Sequence, residues 1–123
     1  MQSLFSGIYK DKTVLVTGHT GFKGSWLCFW LKQMGAKVIG YALEAPTTPN
    51  HFELLNLDIT SIKGNIKDLE YLNTVFQTYK PDIVFHLAAQ ALVKYSYENP
   101  IETYETNVMG TLKVFEACKN ANT

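Results

Sequence analysis

Short apolar runs alternate along the chain with longer stretches in which apolar residues recur at helical spacing. The runs rich in β-branched residues are residues 13–16, 37–41 and 83–87. Continuous runs of this kind are typical of strands buried on both faces of a parallel sheet. A fourth run, residues 57–62, alternates only weakly. The pattern therefore predicts four strands.

Three stretches with a helical period separate or follow these strands. The first covers residues 21–34, ends at Gly35, and has apolar positions at Phe22, Trp26, Phe29, Trp30 and Met34. The second is closed by Pro81, and its inner face is marked by Leu69, Leu72, Val75, Phe76 and Tyr79. The third opens at Pro100, and its period is kept by Ile101, Tyr104, Val108, Leu112 and Phe115. Residues 45–50, with two prolines, and the polar residues 91–99 are predicted as loops.

The order of the predicted elements and the composition together narrow the class of protein. Strands that alternate with helices through short connections predict an α/β domain with a parallel sheet and right-handed crossovers. Eleven basic and eleven acidic residues cancel, so no long-range attraction to nucleic acid or to an anionic membrane is expected. No signal sequence or membrane-spanning run stands out, which favours a cytoplasmic protein. The two cysteines, Cys28 and Cys118, are interpreted as buried thiols, and no metal site is predicted.

A glycine-rich loop joins the first strand to the first helix. Gly18, Gly21 and Gly24 stand in the sequence VTGHTGFKGSW. In this context one glycine permits a tight turn, one lets a pyrophosphate approach the backbone, and one lets helix and strand pack closely. The helix N-terminus then offers free N–H groups to the phosphates, with His19, Thr20, Phe22 and Lys23 as further candidate contacts. The alternative is a structural turn that binds nothing.

The G-x-x-G-x-x-G spacing resembles that of the extended short-chain dehydrogenase/reductases, which include nucleotide-sugar epimerases and dehydratases. Three further motifs follow in the order expected for that superfamily. They are Gly64-Asn65-Ile66-Lys67-Asp68, His86-Leu87-Ala88-Ala89-Gln90, and Thr106-Asn107-Val108-Met109-Gly110-Thr111. Residues 19–27, Gly40-Tyr41-Ala42-Leu43 and Pro46-Thr47 are most similar to the CDP-glucose 4,6-dehydratase family.

The resemblance implies a Rossmann-like, doubly wound sheet of about four strands in the order 3-2-1-4, with helices on both faces. It implies NAD as cofactor, bound by the glycine loop together with Asn65, Ile66, Leu87, Ala88 and Ala89. The acid usual after the second strand is replaced by Ala42; Glu44 either substitutes for it or is a solvated loop charge. Residues 38–62 contain no lysine or arginine, which favours NAD over NADP, although Lys23 lies in the loop.

The chemistry implied by the resemblance removes hydride from C4 of the sugar, eliminates water across C5 and C6, and returns hydride to C6. In the superfamily a tyrosine with a lysine four residues later acts as the base, and no tyrosine here has that lysine. Only Asn107 matches the superfamily's catalytic set, in a supporting role. The alternative is that Asn107 is a polar residue in a helix interior that bonds to the backbone. His86 is either an acid or base or a structural histidine, and His51 has no evident partner.

We therefore expect residues 1–123 to be the N-terminal part of a dinucleotide-binding domain, without its catalytic and sugar-binding part and inactive alone. The expected partner of the full-length enzyme is a nucleotide sugar, and a homo-oligomer is expected. Residues 91–99, with Lys94, Tyr95 and Tyr97, either line the substrate side or form an ordinary loop. The alternatives are a stand-alone NAD-binding module, an enzyme for another nucleotide sugar, and a remnant that binds nothing.

Overall fold

The computed structural model describes residues 1–45 and 47–123. Its centre is a parallel sheet of four strands, β1 (Thr13–Thr17), β2 (Lys37–Ala42), β3 (Thr60–Lys63) and β4 (Ile83–His86). The strand order is β3-β2-β1-β4, and Leu15 of β1 pairs with Ile39 of β2 and with Val84 of β4. The predicted α/β fold with strand order 3-2-1-4 is confirmed.

Strand β3 begins later than the pattern predicted. Asn56 adopts a left-handed conformation with φ of 46°, so the chain turns just before the predicted strand. Leu57 and Ile59 then pack against the core while still outside the sheet, and pairing with β2 begins at Thr60. The weak alternation of this segment therefore reflects packing of two loop residues rather than a strand face.

In the described residues, six α-helical segments surround the sheet. They are α1 (Phe22–Gln33), α2 (His51–Leu55), α3 (Leu69–Tyr79), α4 (Val93–Glu98), α5 (Pro100–Tyr104) and α6 (Gly110–Asn120). A π-helical turn, Glu105–Met109, joins α5 to α6 into the one helical stretch predicted from Pro100, and a short 3-10 helix, Leu4–Gly7, precedes β1. The polar loop predicted at residues 91–99 is wrong, because α4 occupies most of it; six residues are too few to show a helical period.

Alternate strand residues feed two cores, one on each face of the sheet. On one face, Cys28 and Leu31 of α1 and its C-cap Met34 form a cluster with Val14, Val16 and Val38. On the other, α3 and α6 cover Leu15, Ile39 and Tyr41 with Leu72, Val75, Phe76, Val114 and Ala117. The predicted placement of helices on both faces is confirmed. Cys28 is fully buried, and burial raises the pKa of its thiol to about 12, whereas Cys118 is only partly buried.

Most of the large apolar residues that revealed the first and third helices point away from the core, with Met34 as an exception. Phe22 of α1 is 67% exposed and Ile101 of α5 is 75% exposed. Small residues lie on the buried sides instead: Gly24, Ser25 and Cys28 in α1, and Gly110 and Ala117 in α6. These small residues let each helix approach the neighbouring segments closely. A Cβ on Gly110, for example, would overlap the side chain of Ile66. Tyr79, predicted on the inner face of α3, is also exposed.

No helix in the described part of the chain is both long and apolar enough to cross a membrane.

Candidate nucleotide-binding site

The loop between β1 and α1 is held in shape by two glycines. Gly18 has a φ of 78°, and a Cβ there would lie 2.8 Å from the backbone nitrogen of Ala88. A Cβ on Gly24 would overlap the carbonyl oxygen of Gly18. Gly18 therefore permits the turn and the approach of the segment after β4, and Gly24 permits α1 to pack against the loop.

Gly21 stands at the N-cap of α1 and is free of such crowding. A Cβ at Gly21 would meet only the oxygen of Gly18, at 3.4 Å. No side chain caps α1, whereas Asn50 caps α2 and Asp68 caps α3 through their side chains. The first N–H groups of α1 are therefore left for another acceptor, as an anion-binding helix terminus requires.

A cavity of about 330 Å³ opens beside this terminus, at the carboxyl ends of the strands. Eight of the predicted cofactor residues line it: Gly18, Thr20, Gly21, Asn65, Ile66, Leu87, Ala88 and Ala89. The other lining residues are Ala42, Leu43, Glu44, Gly64, Lys67, Glu102 and Thr106. Phe22, Lys23 and Gly24 lie on the first turn of α1, outside this lining. The structure thus brings together residues of all four motifs, which are far apart in sequence.

The expected phosphate contact of the His19 side chain is not supported. Its imidazole is fully buried, with Nε2 2.6 Å from the Ser61 hydroxyl. The ring lies over Gly40, where a Cβ would overlap it, and meets the edge of Phe52 at 5.0 Å between ring centroids. Burial lowers the pKa of His19 to about 4, so the ring is neutral at pH 7. It packs the loop against β2 and β3.

Asn65 meets the cavity with its amide already partly used. Its Oδ1 accepts the backbone N–H of Lys67 at 2.9 Å, and its backbone oxygen accepts the Tyr41 hydroxyl at 2.7 Å. These bonds fix the segment after β3. The amide N–H₂ has no hydrogen-bond partner among the described residues, so Asn65 offers the cavity chiefly a donor.

A chain of hydrogen bonds links the end of β1 to the π-helical turn. Thr111 donates its hydroxyl proton to the carbonyl of Asn107 at 2.6 Å, so its oxygen accepts from Nε2 of His86 at 3.0 Å. His86 then carries its proton on Nε2 and accepts at Nδ1 from the Thr17 hydroxyl at 2.6 Å. Burial lowers the pKa of His86, which favours this neutral form. Both ring nitrogens have protein partners, which supports the structural interpretation of His86.

The same chain of bonds positions two segments that surround the cavity. The Thr17 hydroxyl accepts the backbone N–H groups of Leu87 and Ala88 at 3.1 and 3.2 Å. At the other end, the Asn107 amide accepts from the backbone nitrogen of Gln90 at 2.7 Å and donates to its oxygen at 3.0 Å. Asn107 thus holds the strand-to-helix connection in place through its side chain. Its assignment to catalysis stays a prediction.

His51, for which the sequence offered no partner, contacts the first turns of α1. Its Nδ1 lies 2.5 Å from the hydroxyl of Ser25, which also donates to the Phe22 carbonyl at 3.0 Å. The imidazole stacks obliquely on Trp26, with ring centroids 4.6 Å apart. The start of α2 therefore braces the helix whose N-terminus borders the cavity. The only sequence signal was Asn50, a strong N-cap residue just before His51.

The tyrosines near the cavity are poor candidates for a base. Tyr95 donates its hydroxyl to Glu102 at 2.6 Å, and this bond raises its pKa. Burial, followed by the charge of Asp68, raises the pKa of Tyr41. A tyrosine base needs a lowered pKa. Neither Tyr41 nor Tyr95 therefore has the lowered pKa that such a base requires.

Known proteins share this sequence and arrangement. The family model described as GDP-mannose 4,6 dehydratase matches residues 15–123. A CDP-glucose 4,6-dehydratase of Salmonella typhimurium is 57% identical over 113 residues, which are 90% of this chain and 32% of that protein. This chain therefore spans about a third of the length of that relative.

Two solved structures share the fold, and this chain again covers about a third of the length of each. The UDP-glucose 4-epimerase of Thermotoga maritima, solved with UDP-glucose, superposes with a TM-score of 0.80 at 32% identity, over 90% of this chain and 35% of that one. The UDP-glucose 4-epimerase of Thermus thermophilus, solved in complex with NAD, gives 0.78 at 32% identity, over 89% and 34%. With the family match covering most of its residues, the chain belongs to the GDP-mannose 4,6 dehydratase family of Rossmann-like proteins.

Proposed function

We propose that this chain is the NAD-binding portion of a nucleotide-sugar 4,6-dehydratase that acts on CDP-glucose. The observation that carries the cofactor part is the cavity at the uncapped N-terminus of α1, bordered by the open position at Gly21. The identity to a CDP-glucose 4,6-dehydratase supports the substrate, and the NAD complex of a structural relative supports the cofactor.

The residues present fit a dinucleotide. The free N–H groups at the start of α1 would bind the pyrophosphate, and the missing side chain of Gly21 leaves room for it. Asn65 would donate to the adenine, and Ile66, only 5% exposed, would give the ring an apolar wall. Leu87, Ala88 and Ala89 would flank the nicotinamide half. When bound, NAD supplies reversible hydride transfer.

Catalysis by these residues alone is not expected. No tyrosine in the sequence is followed four residues later by a lysine, and no tyrosine pKa with a resolved shift is lowered. The chain would hold the cofactor in place, and the proton transfers that accompany hydride movement require groups it does not contain. We therefore propose binding without turnover for residues 1–123.

Titration calorimetry of the purified chain with NAD⁺ tests the proposal. We expect saturable binding that Gly21→Val abolishes, because the new side chain would project into the cavity. Phe22→Val is the matched control, since it places the same side chain one position on, where Phe22 is exposed and outside the cavity. Absence of binding to the unsubstituted chain, or equal loss in both variants, would overturn the cofactor assignment.

The absence of turnover is tested separately. The chain saturated with NAD⁺ is incubated with CDP-glucose, and the 4-keto-6-deoxy product is sought by nuclear magnetic resonance. We expect none. Product formation would show that a base other than a tyrosine–lysine pair operates here.

A further inference from the structure

A charge pair stands at the end of the cavity that borders β2 and β3. Glu44 lines the cavity two residues after β2 ends, and its Oε1 lies 3.1 Å from Nζ of Lys63. Lys63 is the last residue of β3 and pairs in register with Ala42, the last residue of β2. The pair therefore occupies the place where a dinucleotide-binding fold meets the adenosine ribose, and where Ala42 provides no carboxylate.

The two charges have opposite consequences for that ribose. A carboxylate accepts hydrogen bonds from ribose hydroxyls and repels a 2′-phosphate, whereas a lysine ammonium attracts the phosphate. Each side chain is mostly exposed, 66% for Lys63 and 79% for Glu44, so solvent screens their attraction and the pair can separate. While they are paired, the positive charge of Lys63 is neutralised and the carboxylate stays at the rim of the cavity.

We propose that Glu44 selects NAD over a 2′-phosphorylated dinucleotide, both by accepting the ribose hydroxyls and by occupying Lys63, which is otherwise a phosphate-binding cation. This inference rests on the proposed function, because it assigns a specificity to the same cavity. It adopts the first of the two interpretations of Glu44 that the sequence left open, in which Glu44 substitutes for the usual acid. The absence of lysine and arginine between residues 38 and 62 ends one position before the cation concerned.

A second cation near the cavity serves as the control. Unlike Lys63, which lies beside the cavity, Lys67 lines it. Lys67 lies on the segment after β3, where its backbone N–H bonds Asn65 Oδ1 and its carbonyl accepts from Lys113 Nζ at 2.8 Å. A general gain in attraction for phosphate would depend on either lysine. A gain directed to the ribose 2′ position depends on Lys63.

The test compares the affinities of NAD⁺ and NADP⁺ by calorimetry in four variants: Glu44→Gln, Lys63→Met, Glu44→Gln with Lys63→Met, and Glu44→Gln with Lys67→Met. We expect Glu44→Gln to weaken NAD⁺ several-fold and to strengthen NADP⁺ about tenfold, since one repulsive charge is removed and one cation released. Adding Lys63→Met should cancel the gain, and adding Lys67→Met should leave it. Lys63→Met alone should keep NAD⁺ binding within about twofold.

The outcomes distinguish failure of this inference from failure of the proposed NAD-binding function. Normal NAD⁺ binding with an unchanged NAD⁺ to NADP⁺ ratio in Glu44→Gln overturns the role of Glu44 and leaves the proposed function standing. A gain for NADP⁺ that survives Lys63→Met overturns the role of Lys63. Failure of the unsubstituted chain to bind NAD⁺ overturns both proposals. Both side chains are exposed, so thermal unfolding midpoints close to that of the parent chain verify the fold of each variant.

Discussion

Thr17 and His86 end neighbouring parallel strands, and the Thr17 hydroxyl donates a hydrogen bond of 2.6 Å to Nδ1 of His86. The same hydroxyl accepts the N–H of Ala88, which lines the cavity. One buried oxygen thus bonds both the histidine and the backbone beside the ligand site.

We expect Thr17→Val to destabilise the fold by about 1–3 kcal/mol, because it keeps the shape of the side chain and leaves His86 Nδ1 and the Ala88 N–H without their partner. Thr17→Ser retains the hydroxyl and should stay within about 1 kcal/mol of the parent chain. Urea unfolding measures the difference, and the ¹⁵N resonance of His86 Nδ1 should shift because that nitrogen loses its hydrogen bond, while Nε2 keeps its proton through Thr111. Equal stability of the valine and serine variants would contradict the hydrogen-bond chain.

Gly24→Ala should destabilise the chain although alanine is the better helix former. The helix preference gains about 1 kcal/mol, whereas overlap of the new Cβ with the backbone of Gly18 forces α1 away from the loop at a cost of about 2–3 kcal/mol or more. Gly21→Ala, at the uncrowded N-cap, is the comparison and should change stability by less than about 1 kcal/mol. Thermal unfolding of the two variants decides; equal midpoints would show that α1 does not need to pack this closely.

Stability should fall between about pH 6.5 and pH 4 because of His19. Its pKa in the folded chain is about 4, below the ordinary 6.5, so the unfolded chain binds more protons in this range. Stability is therefore complete above the unfolded pKa and is lost as the pH falls toward 4, by roughly 3 kcal/mol. His86, whose pKa is also lowered, acts in the same direction.

Urea unfolding across this pH range, compared between the parent chain and His19→Gln, isolates the contribution of His19. The glutamine variant should show a flatter pH dependence. An unchanged slope would mean that His19 titrates normally in the folded chain.

We expect the 123-residue chain to associate with itself through the outer edge of β4. Among the described residues β4 pairs only with β1, which leaves unpaired backbone groups on a strand of apolar sequence. Sedimentation over a range of concentrations should show dimers or larger species. A stable monomer at high concentration would oppose this prediction.

A second variant identifies the surface responsible. Leu112 and Phe115 of α6 are 53% and 62% exposed, and glutamates at both positions would make that helix face polar. Association through β4 should persist in this variant. Its disappearance would assign the contact to α6 instead.

The strands and the glycine loop could be predicted because each depends on residues adjacent in sequence. The side of α1 that meets the sheet could not, since close approach there is set by Gly24 and Ser25 rather than by the larger Trp26 and Trp30. Size and hydrophobicity mark an apolar stripe, but they do not show whether a neighbour covers it.

The hydrogen-bond partners inside the site could not be predicted from the sequence pattern either. Thr17 and His86 are 69 positions apart, and His19 and Ser61 are 42 apart. Those contacts follow from the register of β1 with β4 and of β2 with β3, which no local period encodes. His19 was expected at the phosphates because of its place in the loop; its side chain instead turns toward Gly40, the strand position with space for a ring.

The π-helical turn at Glu105–Met109 divides one continuous helix into two parts that contact different regions of the fold. A π turn adds a residue to the helical repeat, and each residue advances an α-helix by about 100°, so the extra residue changes the phase of everything after it. Before and within the turn, the side chains of Thr103 and Asn107 hydrogen-bond Gln90; after it, Val114 and Ala117 face the core. Shortening the turn by one residue would rotate these two halves against each other, so that the helix could satisfy the loop or the core but not both.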